Sequence, residues 1–381
     1  MVFIEKRKHW LQKIENAWKE KSIVWLRGVR RSGKTTLCKS IPGVELFDCE
    51  LPRVRRSLED PESFFSNLMS KTIALDEIHR LDNPSEVLKI AADYFPKLRV
   101  IATGSSTLGA HKKFKDTLTD RKREVWLTPM NSKDLDIFDH IKTNDRLLKG
   151  GLPGFSLKPE YQESDFKDWV DSFWAKDVQS QFSIRKSDSF LKFFELLALQ
   201  SGGLFEAQSF AAPCGVSHNT INSFVNVLEL TNVALRLRPY SKNKNREITS
   251  ASKIFFFDTG FISYFHGWTE LHSRDLGYLW EHLALNELLY THDIRDIHHW
   301  RDKAKNEIDF VIKTRGKEPI AIECKWKAEN FNPKCLYHFR SYHPGTKNYV
   351  VAEDVSKPYV KKIGEHKVTF VGLSQLSEVG K

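Results

Sequence analysis

The sequence predicts an α/β protein: a parallel-sheet core first, then a small helical module, then a second α/β domain. Three observations predict it. Gly28-Val29-Arg30-Arg31-Ser32-Gly33-Lys34-Thr35-Thr36 fits G-x-x-x-x-G-K-[ST] directly after the apolar run Ile23-Val24-Trp25-Leu26. Short apolar runs recur at Val44 to Phe47, Thr72 to Leu75, Arg99 to Ala102 and Glu124 to Leu127, separated by stretches of helical composition, which is the βαβ rhythm of a parallel sheet. Far downstream, Glu307 to Ile312 and Ile320 to Trp326 read as a strand pair carrying acids and a lysine.

Composition sets the bounds. At 381 residues the chain exceeds the length over which one core keeps growing, so several domains are expected. Hydrophobic residues at 40%, with 26 Phe and 10 Trp, are enough to build real cores and argue against disorder. No apolar stretch approaches membrane-spanning length and Met1 to His9 is charged, unlike a secretory signal, so a cytoplasmic protein with no membrane partner is expected. Five scattered cysteines without a C-x-x-C pair indicate neither a disulfide framework nor a zinc site. A net charge of +10 favours a polyanionic partner, DNA being the leading candidate.

The loop at 28–36 is a phosphate cradle. Gly28 and Gly33 let successive backbone N–H groups turn inward, with Ser32 and Thr36 in the same cradle. Lys34 reaches the β/γ oxygens of ATP and the Thr35 hydroxyl ligates Mg²⁺. The run Thr72 to Leu75 ends in Asp76-Glu77, and strand ends are where an open α/β sheet presents its ligands. Asp76 is placed to hold Mg²⁺ through water, and Glu77 to polarise the attacking water. The next strand ends in Thr103-Gly104-Ser105-Ser106, where a small hydroxyl can sense the γ-phosphate; Ser105 leads, with Thr103 and Ser106 as rivals.

These segments resemble a known family. GVRRSGKTTL at 28–37, LDEIHR at 75–80, ATGSS at 102–106, DRKREVWLTPMNSKDL at 120–135 and GGLPGF at 150–155 are similar to the AAA+-type ATPases of the bacterial and archaeal group whose core precedes a large C-terminal domain of formerly unknown function. The resemblance implies ATP hydrolysis with Mg²⁺ and a homo-oligomeric ring of six subunits. Two departures matter. The family's usual Gly-Arg reads Asp120-Arg121, which keeps an arginine, and Ala175-Lys176-Asp177-Val178 stands where relatives commonly have Arg-Asp. Lys176 offers only a point charge for trans-activation, which leaves Arg121 as the alternative nucleotide-contacting arginine.

From Leu204 to Ile248 helical patterning, a turn and a hairpin suggest a winged helix-turn-helix. Ser217 is a good N-cap, and Ile221, Phe224, Val225 and Leu228 form one apolar face. His218, Asn219, Asn222 and Ser223 are left outward, and Leu235 to Arg238 with Lys242 to Arg246 read as a basic wing able to meet DNA.

Strand periodicity places Ala321, Glu323 and Lys325 on one face, beside Asp309 across the hairpin. Upstream, Leu276 to Tyr290 reads as a helix in which Glu281 shares a stripe with Ala284, Leu285 and Leu288, costly for a carboxylate unless it is paired or metal-bound. Glu281, Asp309, Glu323 and Lys325 match the D…E-x-K pattern of the restriction-endonuclease-like PD-(D/E)xK superfamily, to which the family's C-terminal domain is similar. In such a site Glu281, Asp309 and Glu323 bind Mg²⁺ and Lys325 activates the attacking water. The expected organisation is an ATPase core over 1–140, a helical lid or connector over 141–186, a winged helix-turn-helix over 187–250 and a nuclease-like α/β domain over 251–381. The expected function is ATP hydrolysis coupled to binding of DNA, branched DNA among the candidates, and to its remodelling or Mg²⁺-dependent cleavage; the alternative is an ATP-switched DNA- or protein-binding regulator with an inactive nuclease fold.

Overall fold

The three central apolar runs, at 23–27, 72–76 and 99–103, become strands buried on both faces, as parallel strands under crossover helices are, while the runs at 45–48 and 122–126 form partly exposed edges. The computed structural model of the chain describes residues 7–104, 117–138, 141–182, 184, 186–241, 243, 247–248 and 250–380. It divides into two units, the first comprising Met1–Thr128, Trp169–Ser183 and Leu230–Asn232, the second Pro129–Asp168, Ile184–Glu229 and Val233–Lys381.

In the first unit, β1 (Ile23–Arg27), β2 (Glu45–Asp48), β3 (Thr72–Asp76), β4 (Arg99–Thr103) and β5 (Lys122–Trp126) form a parallel sheet ordered β2-β3-β4-β1-β5. This is the predicted parallel core. Ile23, Trp25, Ile73, Leu75, Val100 and Ala102 build one apolar layer with Val87, Leu88 and Ala91, which come from the helix α3 (Pro84–Tyr94). Helix α1 (Lys8–Glu20) buries Trp10, Ile14, Ala17 and Trp18, spaced to make a single stripe, and the Trp18 indole donates to the Val100 carbonyl at 3.1 Å. The order puts β1 and β3 on either side of β4, so the ends of three neighbouring strands converge where the phosphate loop begins. The loop runs from β1 into α2 (Lys34–Lys39).

The second unit holds one nine-stranded sheet. Its strands β6 (Gly203–Leu204), β7 (Ala234–Pro239), β8 (Lys253–Phe256), β9 (Ile297–Arg301), β10 (Glu307–Ile312), β11 (Ile320–Lys325), β12 (Lys347–Ala352), β13 (Tyr359–Ile363) and β14 (His366–Val371) lie in the order β13-β14-β12-β11-β10-β9-β7-β8-β6. Phe310 opposes Ile322 and Val311 opposes Ala321 across the β10–β11 hairpin, which sets Asp309 against Glu323. Helices α6 (Ser187–Leu199), α7 (Ala207–Cys214) and α8 (His218–Leu230) precede β7. Ser217 Oγ accepts from the Thr220 N–H at 3.2 Å, capping α8 as its sequence implies, and Ile221, Phe224, Val225 and Leu228 are buried. The β7–β8 hairpin is joined to the C-terminal strands through Arg238 against His298, so residues on both sides of 250 share one sheet. Leu235 and Leu237 are buried in β7, and that apolar pair favours a sheet position over a solvated flap. Helix α10 (Ser273–Thr291) begins earlier than its apolar stripe because Asp275 caps it, accepting from the His272 N–H at 3.0 Å.

Candidate active site

Beneath the phosphate loop a chain of hydrogen bonds ties the ends of β3 and β4 to the first turn of α2. Thr35 Oγ1 donates to one Asp76 carboxylate oxygen at 2.7 Å and Thr103 Oγ1 donates to the other. The Glu77 N–H donates to Thr103 Oγ1 at 3.2 Å. Glu77 has φ 52 and ψ 42, a left-handed conformation costly for a non-glycine residue and persisting where the surroundings impose it. Its carboxylate meets His79 Nδ1 at 3.2 Å. Burial pushes the Glu77 acid up, but the His79 hydrogen bond and the charge of Lys34 outweigh it and hold the group below the ordinary carboxylate range. The Lys34 ammonium donates to the Gly28 and Val29 carbonyls at 2.9 and 3.0 Å. Burial lowers its pKa, opposed by Glu77, Asp177 and Asp76.

The loop fits a nucleotide. Gly28 is required because a Cβ there would lie 2.5 Å from the Leu127 carbonyl oxygen, and Gly33 takes φ 95. Ser32 is fully buried and its Oγ has no partner among the described residues, an unsatisfied hydroxyl within the loop that a bound group could satisfy. Thr36 lies exposed on the first turn of α2. Thr35 and Asp76 are the pair that would hold Mg²⁺. Ser105 lies outside the described residues, whereas its rival Thr103 sits in the hydrogen-bonded chain. Arg121 forks onto Asp93 at 2.7 and 3.1 Å and donates to the Thr117 carbonyl.

The four acid–lysine residues also converge, in the second unit. The Cys324 N–H donates to Asp309 at 2.7 Å; Lys325 lies 2.9 Å from Glu323 and 3.9 Å from Asp309. A register shift between Ile308 and Val311 in the β9–β10 pairing is the kind of bulge that re-aims a side chain such as Asp309. Two residues that pattern reading missed complete the group. Lys253 lies 3.2 Å from Glu281 and is paired with Glu307. Burial and Asp309 raise Glu281 to about 7 against the pull of Lys253, and burial with Asp309 raises Glu323 to about 8 against Lys325. Glu323 Oε1 is buried without a partner among the described residues. The donor set nevertheless fits a metal incompletely. Glu281 is engaged by Lys253, and among the described residues no three His, Cys, Asp or Glu side chains are arranged to hold an ion.

Residues 20–135 match a family model described as an AAA domain. The matched segment spans the phosphate loop and the five-stranded parallel sheet of a P-loop NTPase core. Residues 141–272 and 276–373 match two further models, each described as a domain of unknown function, DUF8612 and DUF4143. No curated protein matches the chain. Among solved structures it is similar to a DNA replication initiation factor, at 8% identity and TM-score 0.28 over 50% of this chain and 66% of that one. A DNA polymerase III gamma subunit-related protein of Thermotoga maritima aligns at 11% identity and TM-score 0.26, over 60% and 98% of the two chains. A signal transduction ATPase with a tetratricopeptide repeat sensor from Pyrococcus horikoshii aligns at 11% and TM-score 0.27, over 75% and 46%. Among the described residues no helix is long and apolar enough to cross a membrane.

Two family-like segments outside the ATP site serve packing. Asn131 and Asp134 in the 120–135 segment cap the short helix α4 (Ser132–Leu135), and Ser132 donates through N–H and Oγ to buried Glu287 at 2.9 and 2.8 Å. In GGLPGF, the Gly151 N–H donates to Asp258 at 2.7 Å, and buried Arg146 lies 3.9 Å from the same carboxylate. The legible signal for Lys253 is a lone charge opening the apolar run Ile254-Phe255-Phe256.

Proposed function

We propose that the protein hydrolyses ATP and uses nucleotide state to change its hold on DNA. The observation that carries this reading is the chain Thr35–Asp76–Thr103–Glu77 beneath the loop. Bound Mg·ATP would supply the scissile phosphoanhydride and the charge that offsets its transition state. Lys34 exchanges loop carbonyls for phosphate oxygens. Glu77, ionised at neutral pH, orients the attacking water. Thr103 holds the metal carboxylate and the Glu77 backbone in one arrangement, so it is the polar sensor in this reading.

DNA as the partner is supported by the net charge of +10 and by helices α7 and α8 with the β7–β8 hairpin, read as a winged helix-turn-helix. Its second helix exposes His218, Asn219, Asn222 and Ser223, side chains able to meet base edges and phosphates. In the hairpin Arg238 is exposed while Arg236 is held by Glu229 at 2.8 Å; Lys242 and 244–246 lie outside the described residues. Family resemblance favours a ring of six copies.

Mg²⁺-dependent cleavage is the second reading, favoured by the unpartnered Glu323 oxygen opposite Asp309. The Lys253–Glu281 pair speaks for the binding protein instead. Anisotropy of labelled linear and branched DNA with ATP, with ADP and without nucleotide tests the first: nucleotide-independent affinity sinks it. Incubation of the same DNA and of plasmid with Mg²⁺, comparing wild type and Lys325→Ala, tests the second. Cleavage lost in the variant establishes a nuclease; retained binding without any cleavage leaves the ATP-switched binder.

A further inference from the structure

We propose that Arg30 is a γ-phosphate ligand supplied by the chain's own phosphate loop, held ready by Asp177. The proposal rests on the reading of 28–36 as an ATP site. Arg30 is the third residue of the loop, and its Nε donates to Asp177 at 2.6 Å. Both side chains are partly covered, 25% and 18% exposed. Guanidinium presents five donors in a rigid fork, and the two terminal nitrogens of Arg30 have no partner among the described residues. One edge of the fork is therefore tied down and the other is open.

The backbone beneath it is fixed as well. The Trp169 indole donates to the Arg30 carbonyl at 3.0 Å, and Arg31 takes φ 62, a left-handed turn that gives the loop one shape at this point. Asp177 sits on a π-helical turn, Trp174–Gln179, a rare conformation that recurs at functional sites. The charge of Arg30 is felt at Lys34 and at Glu77, the two groups assigned to the phosphates and the water, so the guanidinium lies within electrostatic reach of both. Asp177 is felt at Lys34 too. A carboxylate beside a triphosphate is repulsive unless a cation stands between them, and Arg30 is that cation. Asp177 is then a positioning residue acting through Arg30. Lys176, next to it, is exposed and lacks the fork. A cis arginine would supply from this chain what the Lys176 substitution removes.

The rival role is a plain ion pair tying 169–183 to the loop. Calorimetry of the full chain with the β,γ-imido analogue of ATP and with ADP separates the two. Arg30→Ala is expected to lose about tenfold or more in affinity for the ATP analogue, as for a charge-assisted bond, while ADP binding stays within about twofold. Arg30→Lys should recover little of this, a lysine being a point charge. Asp177→Asn should weaken the ATP analogue selectively and by less. Equal losses for both nucleotides in these variants, or no loss in any, overturn the proposal. Failure of the ATP-site reading would look different: Lys34→Ala would bind both nucleotides like the wild type.

Discussion

At the scale of the residue, Lys34, Asp76 and Glu77 are assigned roles that separate binding from turnover. Lys34→Ala removes the ammonium assigned to the β/γ oxygens, and calorimetry is expected to find no nucleotide binding; unaltered ATP affinity would refute the assignment. Glu77→Gln keeps the size and loses the charge that orients water. It should bind ATP normally while steady-state phosphate release falls by about 10²-fold or more, and an unchanged rate would remove Glu77 from that role. A third residue reports on pH. Buried Glu287 is pushed up to about 7 from the ordinary 4.5 by desolvation, against the hydrogen bonds from Ser132. Its carboxyl in the unfolded chain releases a proton near 4.5 and in the folded chain near 7, so folding takes up a proton between these values and stability falls as pH rises through them. Glu287→Gln abolishes this titration. Urea midpoints from about pH 5 to about pH 8 are expected to fall less steeply in the variant, which becomes the more stable form at the upper end; parallel curves would show that Glu287 does not titrate there.

At the scale of the element, glycines mark where two segments touch. Gly150 has φ +81, and a Cβ there would lie 1.9 Å from Asp258 Oδ1, the carboxylate that takes the Gly151 N–H and faces Arg146. Gly150→Ala combines backbone strain with disruption of a buried ion pair, and a loss of about 3 kcal/mol or more is expected. Equilibrium unfolding checks it; a change below about 0.5 kcal/mol, typical of a surface site, would mean the contact yields freely. The same elements show what a sequence discloses. The central strands β1, β3 and β4 were legible because buried parallel strands are continuous apolar runs, and the loop because its spacing is dictated by a phosphate. Asp309, Glu323 and Lys325 were legible because a hairpin of period two aligns them. The meeting of Lys253 with Glu307 was not: a lysine opening one strand and a glutamate opening another come together only once β8 and β10 are placed in one sheet, and nothing local encodes that. Asp177 was hidden for the same reason, since it reaches Arg30 from 147 positions away in the chain. The joining of β7 to β9 was missed because basic residues alternate along β7 with the leucines that the sheet buries.

At the scale of the whole molecule, the charge of +10 makes salt dependence the measurement that separates a backbone-binding protein from one that docks on protein. If Lys and Arg of the exposed surface neutralise phosphates, each releases condensed counterions and the logarithm of the association constant falls linearly with that of salt. A footprint of about six phosphates predicts a loss of about 10³ in affinity between about 50 and 200 mM salt. Anisotropy titrations at four or five salt concentrations measure the slope, and Arg238→Ala, which removes an exposed charge of the β7–β8 hairpin, should lower it by about one unit if that hairpin touches the backbone. A slope near zero would contradict a DNA-backbone interface and turn attention to a protein partner for α8. A steep slope unchanged by Arg238→Ala would keep DNA as the ligand and move its contact away from the hairpin. Running the series with ATP and with ADP adds the decisive comparison: a slope that differs between nucleotides means the ATPase core changes how many phosphates the protein covers, whereas equal slopes with different intercepts mean it changes only the population of the binding-competent form.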